Sequence, residues 1–336
     1  MPDAGIHEQG YRWRLIAAFA AVYVIWGSTY LAIRFAVETL PPFLMAGVRF
    51  LVSGGVLYAW ARWRSDEKPD WRHWRTAAMI GTLLLLGGNG GVVWAEQFVP
   101  SGLTALLITS EPFWVVILVW LIPGGHRPTW GVISGMLLGL VGIGLLIGPG
   151  HVLNGRGVPL GGVSVLFLAS LSWAAGSLYS SRARLPQSGV LSAGMQMLAG
   201  GAVLTLFGAL VGDWNRLAWQ NISMRSVLAL TYLTAFGSIV GFSSYFWLLR
   251  NTTPARASTY AFVNPMVAVV LGWAFAGETI TLRTLFATAI IVFAVMIVIL
   301  RHAPPADALN LEPMDAPAVP PANVQPNLEL RGGSEA

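Results

Sequence analysis

Glu111 stands mid-way along "GLTALLITSEPFWVVILVWLI", residues 102–122, and is the one ionisable group in that run. At a helical rise of ~1.5 Å per residue it lies roughly 15 Å deep. A charge at such depth in a bilayer is costly and is a functional-site candidate by default. Arg49, inside the apolar run 42–61, is roughly 10 Å deep by the same rise. A carboxylate and a guanidinium at similar depth suit a zwitterion, whose carboxylate the arginine takes and whose ammonium the glutamate takes. Every buried charge then has a partner, as a low-dielectric site requires. With no ligand bound, Glu111 is expected to be protonated or paired with Arg49. Two plainer readings stand beside this one: Arg49 snorkels toward the interface, or the pair only holds helices together.

Proline follows a central polar residue twice, as Glu111-Pro112 and as Asn264-Pro265. A proline inside a helix frees the carbonyl four residues earlier, here Ile108 and Ala261. In lipid such a carbonyl must find a partner or line a cavity, so both prolines are helix breaks or packing kinks. Further polar candidates on apolar runs are Tyr30, Asn89, Gln196 and Tyr260. Trp26 and Trp173 lie mid-run, away from the interfacial belts where tryptophan concentrates, and fill the core or meet a substrate. Glu96, Arg34 and Glu38 fall at run ends and are expected to be solvated.

Other chemistry is missing from the chain. It has no cysteine, which excludes disulfides, thiol catalysis and Cys-ligated metal. Its five histidines are scattered without ligand spacing, and no Walker loop, nucleophile elbow or HExxH motif occurs. No cofactor and no metal are expected, and nothing supports an enzyme.

The elements that must carry these residues are membrane helices. Of the 336 residues, 55% are hydrophobic and only 10% charged, against about 25% charged in soluble domains. Ten runs approach the roughly 20 apolar residues a span needs: 15–37, 42–61, 76–96, 102–122, 129–148, 157–181, 189–212, 226–249, 255–276 and 283–300. The expected class is an all-α membrane protein of ten transmembrane helices, because in lipid every backbone group must be satisfied within the structure. With the N-terminus (1–14) inside, thirteen basic residues collect on the cytoplasmic side and five outside, so both termini are expected to be cytoplasmic. This explains the +5 net charge without nucleic acid. Residues 303–336 are rich in Pro and Ala and read as a disordered cytoplasmic tail.

The chain also repeats. A shift of 147 puts Trp26 on Trp173 and aligns "LMAGVRFLVSGGVL" (44–57) with "LSAGMQMLAGGAVL" (191–204). A shift of 153 puts Gly88 on Gly241, Trp94 on Trp247, Pro112 on Pro265 and Trp120 on Trp273. Residues 15–148 and 157–300 thus form two units of five spans. An odd number makes the second unit enter from the opposite side, an inverted repeat, which in transporters sets the substrate site near the midplane between the halves.

Several motifs resemble the drug/metabolite transporter superfamily, and within it the EamA family. They are "WGSTY" (26–30), "PPFLMAGVRFL" (41–51), "GNGGVVWAE" (88–96), "VPSGLTALL" (99–107), "SWAAGSLYSSR" (172–182), "PARASTYAFVNPMVAVVLGW" (254–273) and "GETIT" (277–281). The resemblance implies two EamA repeats, a location in the bacterial inner (plasma) membrane and export of small metabolites such as amino acids, or of drugs. It implies a cavity between the halves that gathers Trp26, Asn89, Glu111, Trp173, Tyr260 and Asn264. A proton gradient or the substrate's own gradient would supply the drive. The alternatives are a multidrug exporter of lipophilic cations, with Glu111 as the anion and Trp26 and Trp173 as cation–π faces, and a membrane scaffold without transport. Both repeats lie on one chain, so a monomer suffices, while a dimer stays open.

Overall fold

The computed structural model describes residues 3–64, 67–122, 127–147, 159–252 and 259–302, and those residues are helical wherever they are regular. Eight helices are long and apolar enough to cross a membrane. In chain order, with two shorter apolar helices counted in, they are α1 (Tyr11–Ala36), α2 (Pro42–Arg64), α3 (Trp71–Ala95), α4 (Ser101–Leu121), α5 (Trp130–Ile147), α6 (Leu160–Ser180), α7 (Gly189–Leu210), α8 (Met224–Tyr245), α9 (Tyr260–Ala276) and α10 (Leu282–His302). All ten sequence runs therefore carry a helix, of which α5 and α9 are the short ones. The link between the two units, 149–156, and the tail from 303 lie outside the described residues.

Glycine decides how closely the helices pack. A Cβ added at Gly54 would meet Leu198 N at 2.7 Å, one at Gly201 would meet Leu51 N at 2.8 Å, and one at Gly194 would meet Tyr58 N at 2.7 Å. At Gly47 it would strike the Thr205 side chain. Contact positions on α7 fall as those on α2 rise, so the two helices run antiparallel. The same holds for α5 and α10, where Gly135 meets Ile297 and Gly142 meets Ile291. Small residues that bring backbones together are the usual device for helix association in lipid, where burial alone gives no drive.

The principal pairings survive an exchange of each helix with the one five places on. α2 pairs with α7, α5 with α10 and α4 with α9; α1 meets α8 and α9 as α6 meets α3 and α4. End caps follow the same rule. Asp213, after α7, accepts from Phe43 N (2.9 Å) and Leu44 N (3.3 Å) at the start of α2. Glu67, after α2, accepts from Gln187 N (2.8 Å) and Ser188 N (3.1 Å) at the start of α7. Both carboxylates satisfy amides that a helix start leaves open.

Three helices contain π-turns: Val22–Trp26 in α1, Thr82–Gly90 in α3 and Leu233–Val240 in α8. Irregular turns need backbone partners from elsewhere in lipid, and side chains of neighbouring helices supply them. Trp26 Nε1 donates to Gly237 O (3.2 Å), Ser172 Oγ to Leu83 O (2.8 Å) and Ser53 Oγ to Thr234 O (3.3 Å). With its amide nitrogen as donor, Asn264 bridges Tyr23 O and Tyr260 O, both at 3.2 Å.

The two prolines behave differently. α4 is interrupted at Thr109 and Ser110, and its second half starts at Glu111 with Pro112 in the first turn, where the missing N–H costs nothing. Pro265 stays inside a continuous α9. One expectation fails: Glu96 is not solvated. It is fully buried, with neither carboxylate oxygen hydrogen-bonded among the described residues. The reason is that Arg34 folds over this helix end and donates to the Glu96 carbonyl at 2.8 Å.

Candidate functional site

The irregular turns surround a cavity of about 120 Å³ between the two halves. Trp26 and Tyr30 of α1, Arg49 of α2, Asn89 of α3 and Glu111 of α4 line it from the first half. Trp173 of α6 with Tyr260 and Asn264 of α9 line it from the second. The repeat explains the arrangement. Gly88 leaves space for Trp173, where an added Cβ would lie 2.7 Å from Cε3, and its repeat mate Gly241 leaves the same space for Trp26. Two matched glycines thus admit two matched tryptophans.

Trp26 is held by more than space. Its ring sits 5.1 Å from Tyr260 and 5.1 Å from Tyr245 by centroids, and Phe242 is 5.3 Å away. Edge-on aromatic contacts of this kind add about 0.5–1.5 kcal/mol each beyond area burial, so this wall is rigid.

Arg49 is 4% exposed and donates from Nε to Ser238 Oγ at 2.9 Å, within the π-turn of α8. Its guanidinium carbon lies 4.7 Å from the Phe50 ring centroid, and Nη1 has no partner among the described residues. Glu111 lines the same cavity, half-buried. Of the two states expected for Glu111, the direct ion pair is not formed: among the described residues no nitrogen–oxygen contact within 4.0 Å joins Arg49 to Glu111. Ser238, inside the π-turn, takes up the guanidinium instead, which leaves Arg49 and Glu111 apart across one small space.

Gln196 corrects a second expectation. It does not line the cavity; its Nε2 donates one turn back to Ser192 Oγ at 2.9 Å, and its backbone carbonyl abuts Gly81. It is the repeat mate of Arg49, but the shorter side chain satisfies itself on its own helix. Ile108, whose carbonyl Pro112 was expected to free, lines the cavity too, as do Thr29, Val92 and Phe242, which were not singled out. Phe242 was legible, because the 153-residue shift pairs it with Asn89; the others are ordinary apolar-run residues and gave no signal.

The two ends of the bundle differ. At one end α1 and α8 are joined: Ser226 Oγ donates to Phe35 O (2.7 Å) and Ser223 N to Thr39 Oγ1 (3.2 Å). There Arg225 lies 3.5 Å over the Phe35 ring and 3.4 Å from Glu38. At the other end the corresponding termini of α3 and α6 are parted by a cleft of about 450 Å³.

Comparison with known proteins places this architecture. The EamA-like transporter family matches residues 13–148 and 160–300, the same two halves. The chain is 40% identical over 311 residues to the uncharacterized inner membrane transporter YedA of Escherichia coli K12, covering 92% of this chain and 97% of that one. It is 24% identical to a protein of Salmonella typhimurium LT2 named "Probable amino-acid metabolite efflux pump", over 77% of this chain and 86% of the other. A protein of known crystal structure matches 86% of this chain and 98% of its own, with a TM-score of 0.59 at 21% identity, a likeness of fold. The chain is a multi-pass membrane transporter of the drug/metabolite type, not an enzyme, and it belongs to the EamA-like transporter family.

Proposed function

We propose that the protein exports small zwitterionic metabolites, amino acids among them, across the inner membrane by alternating access. In this reading the ten helices all span the bilayer, as two inverted repeats with both termini cytoplasmic. The antiparallel packing of α2 on α7 and of α5 on α10 supports inversion, since repeats related by an axis along the membrane normal would set matched helices parallel. A bundle joined at one end and parted at the other supports alternating access, whose two states exchange which end is open.

One observation carries the substrate class: in one cavity Arg49 Nη1 has no partner among the described residues while the Glu111 carboxylate stands apart from it. A ligand bearing both a carboxylate and an ammonium satisfies both groups at once. In this reading Trp26, Tyr30, Asn89, Trp173, Tyr260 and Asn264 line the substrate, and the break before Pro112 puts Glu111 at the head of a half-helix. The name of the Salmonella relative points the same way.

The second reading, export of lipophilic cations, is favoured by the aromatic lining of Trp26, Trp173 and Tyr260, which offers cation–π faces. Size argues against it. About 120 Å³ is close to an engineered cavity of roughly 150 Å³ that takes benzene, and well below the ~300–1,000 Å³ of drug-sized sites.

The test is a thermal-shift screen of the purified protein against amino acids and quaternary cations, followed by flux in proteoliposomes with and without a pH gradient. A ligand bound only to the native state at 100 times its Kd raises stability by about 2.7 kcal/mol. Stabilisation and flux with zwitterions are expected; a response to cations alone would replace the first reading with the second.

A further inference from the structure

The cleft at the parted end has a composition that the central site does not explain. Its lining combines Arg72 and Arg75 of α3 and Arg182 and Arg184 just beyond α6 with Leu118, Leu121, Ile122 and Leu178. Basic and aliphatic side chains lining one cleft match an amphiphilic anion. Leu121 is 68% exposed on the outer face of α4, and Trp71 at the head of α3 is 77% exposed, so the cleft opens sideways at the level where aromatic side chains meet lipid headgroups.

The repeat shows why an anion is needed there. At the joined end Arg225 rests on Phe35 and pairs with Glu38. The 153-residue shift makes Arg72 the mate of Arg225, and the 147-residue shift makes Arg182 the mate of Phe35 and Leu185 that of Glu38. Closing the α3–α6 end in the same way would therefore press one guanidinium on another, with Leu185 where the opposite end has Glu38, and Asp70, the carboxylate beside Arg72, is taken up in capping the start of α3. Like charges in that position oppose closure.

We propose that this cleft binds the phosphate headgroup of an anionic phospholipid, with Arg72, Arg75 and Arg182 on the phosphate and Leu118, Leu121 and Leu178 against its acyl chain. Arginine suits the task because its planar fork meets phosphate oxygens in pairs. The bound phosphate stands where the carboxylate stands at the opposite end, and it lets the ends of α3 and α6 approach. The site is independent of what the central cavity carries, and only its effect on closure rests on the alternating-access reading.

The chain has no native cysteine, so spin labels can be set on Trp71→Cys and Ser181→Cys in the otherwise intact protein. Inter-label distances are measured in nanodiscs of phosphatidylcholine, with and without phosphatidylglycerol. A shorter-distance population is expected with phosphatidylglycerol and not with phosphatidylcholine alone. Identical distributions in the two lipids would overturn the proposal. If inorganic phosphate added to phosphatidylcholine discs shortens the distance equally, the site is one for a free anion and the lipid assignment falls. These comparisons need no arginine variant, so a misfolding variant cannot obscure them. Titration of phosphatidylglycerol should also show affinity at least about tenfold weaker in Arg72→Gln/Arg182→Gln, as expected for lost charge-assisted bonds. Arg12→Gln/Arg14→Gln, which removes as much charge from the exposed start of α1, should keep it. An equal loss in both double variants would mean that net charge alone acts.

Discussion

Glu111 and Arg49 were recognisable from their depth in apolar runs, but what each side chain touches was not. Depth along a helix follows from sequence position, whereas the direction a residue faces depends on neighbours from the other repeat. Gln196 shows the difference: it shares the depth of Arg49 yet bonds to Ser192 on its own helix. Glu96 shows it again, because nothing in its own run tells that Arg34 will cover it. Expected consequences follow at this scale. Glu111→Gln should abolish flux of the substrate, or remove its pH dependence, while the purified protein stays folded. Gln196→Ala should transport as the parent does. Normal flux with an unchanged pH profile in Glu111→Gln would make Glu111 a structural residue, and a loss in Gln196→Ala would bring that side chain back to the site. Ser238→Ala removes the hydrogen-bond partner that Arg49 Nε has among the described residues. Leaving a buried donor unsatisfied costs about 1–3 kcal/mol, so a lower melting temperature is expected, together with altered substrate affinity.

Helix number and register were legible at the scale of elements, because long apolar runs and two constant shifts survive in the residue order. The π-turns were not, since no residue type marks them; they exist because side chains such as Trp26 and Ser172 hold their carbonyls from other helices. The matched glycines are the element feature that can be tested most simply. Gly54 and Gly55 are neighbours on α2, but an added Cβ meets Leu198 N at 2.7 Å at the first and nothing within 4 Å at the second. Gly54→Ala should therefore lower the melting temperature, at the order of 1–3 kcal/mol for forced overpacking. Gly55→Ala should be neutral or slightly stabilising, by up to roughly 1 kcal/mol from helix propensity. Equal effects at the two positions would show that α2 and α7 do not pack through this seam in the membrane.

For the whole molecule, the exchange of each helix with the one five places on leaves the pairings intact and the two ends unequal. If transport proceeds by alternating access, the α1–α8 contact must open once in each cycle. Ser223 N lies 3.2 Å from Thr39 Oγ1, which brings the two residues close enough for a disulfide, whose Cα atoms stand about 4.4–6.8 Å apart. In a chain without other cysteines, Thr39→Cys/Ser223→Cys can form only that bond within one molecule. Oxidation should stop flux in proteoliposomes and reduction should restore it, while each single variant is indifferent to both treatments. Substrate binding measured by thermal shift should survive oxidation, because the lock leaves the α3–α6 end parted and the central cavity intact. That combination separates a jammed cycle from a damaged protein. If the oxidised double variant carries substrate at the parental rate, the α1–α8 contact is no gate, and the inequality of the two ends has nothing to do with transport.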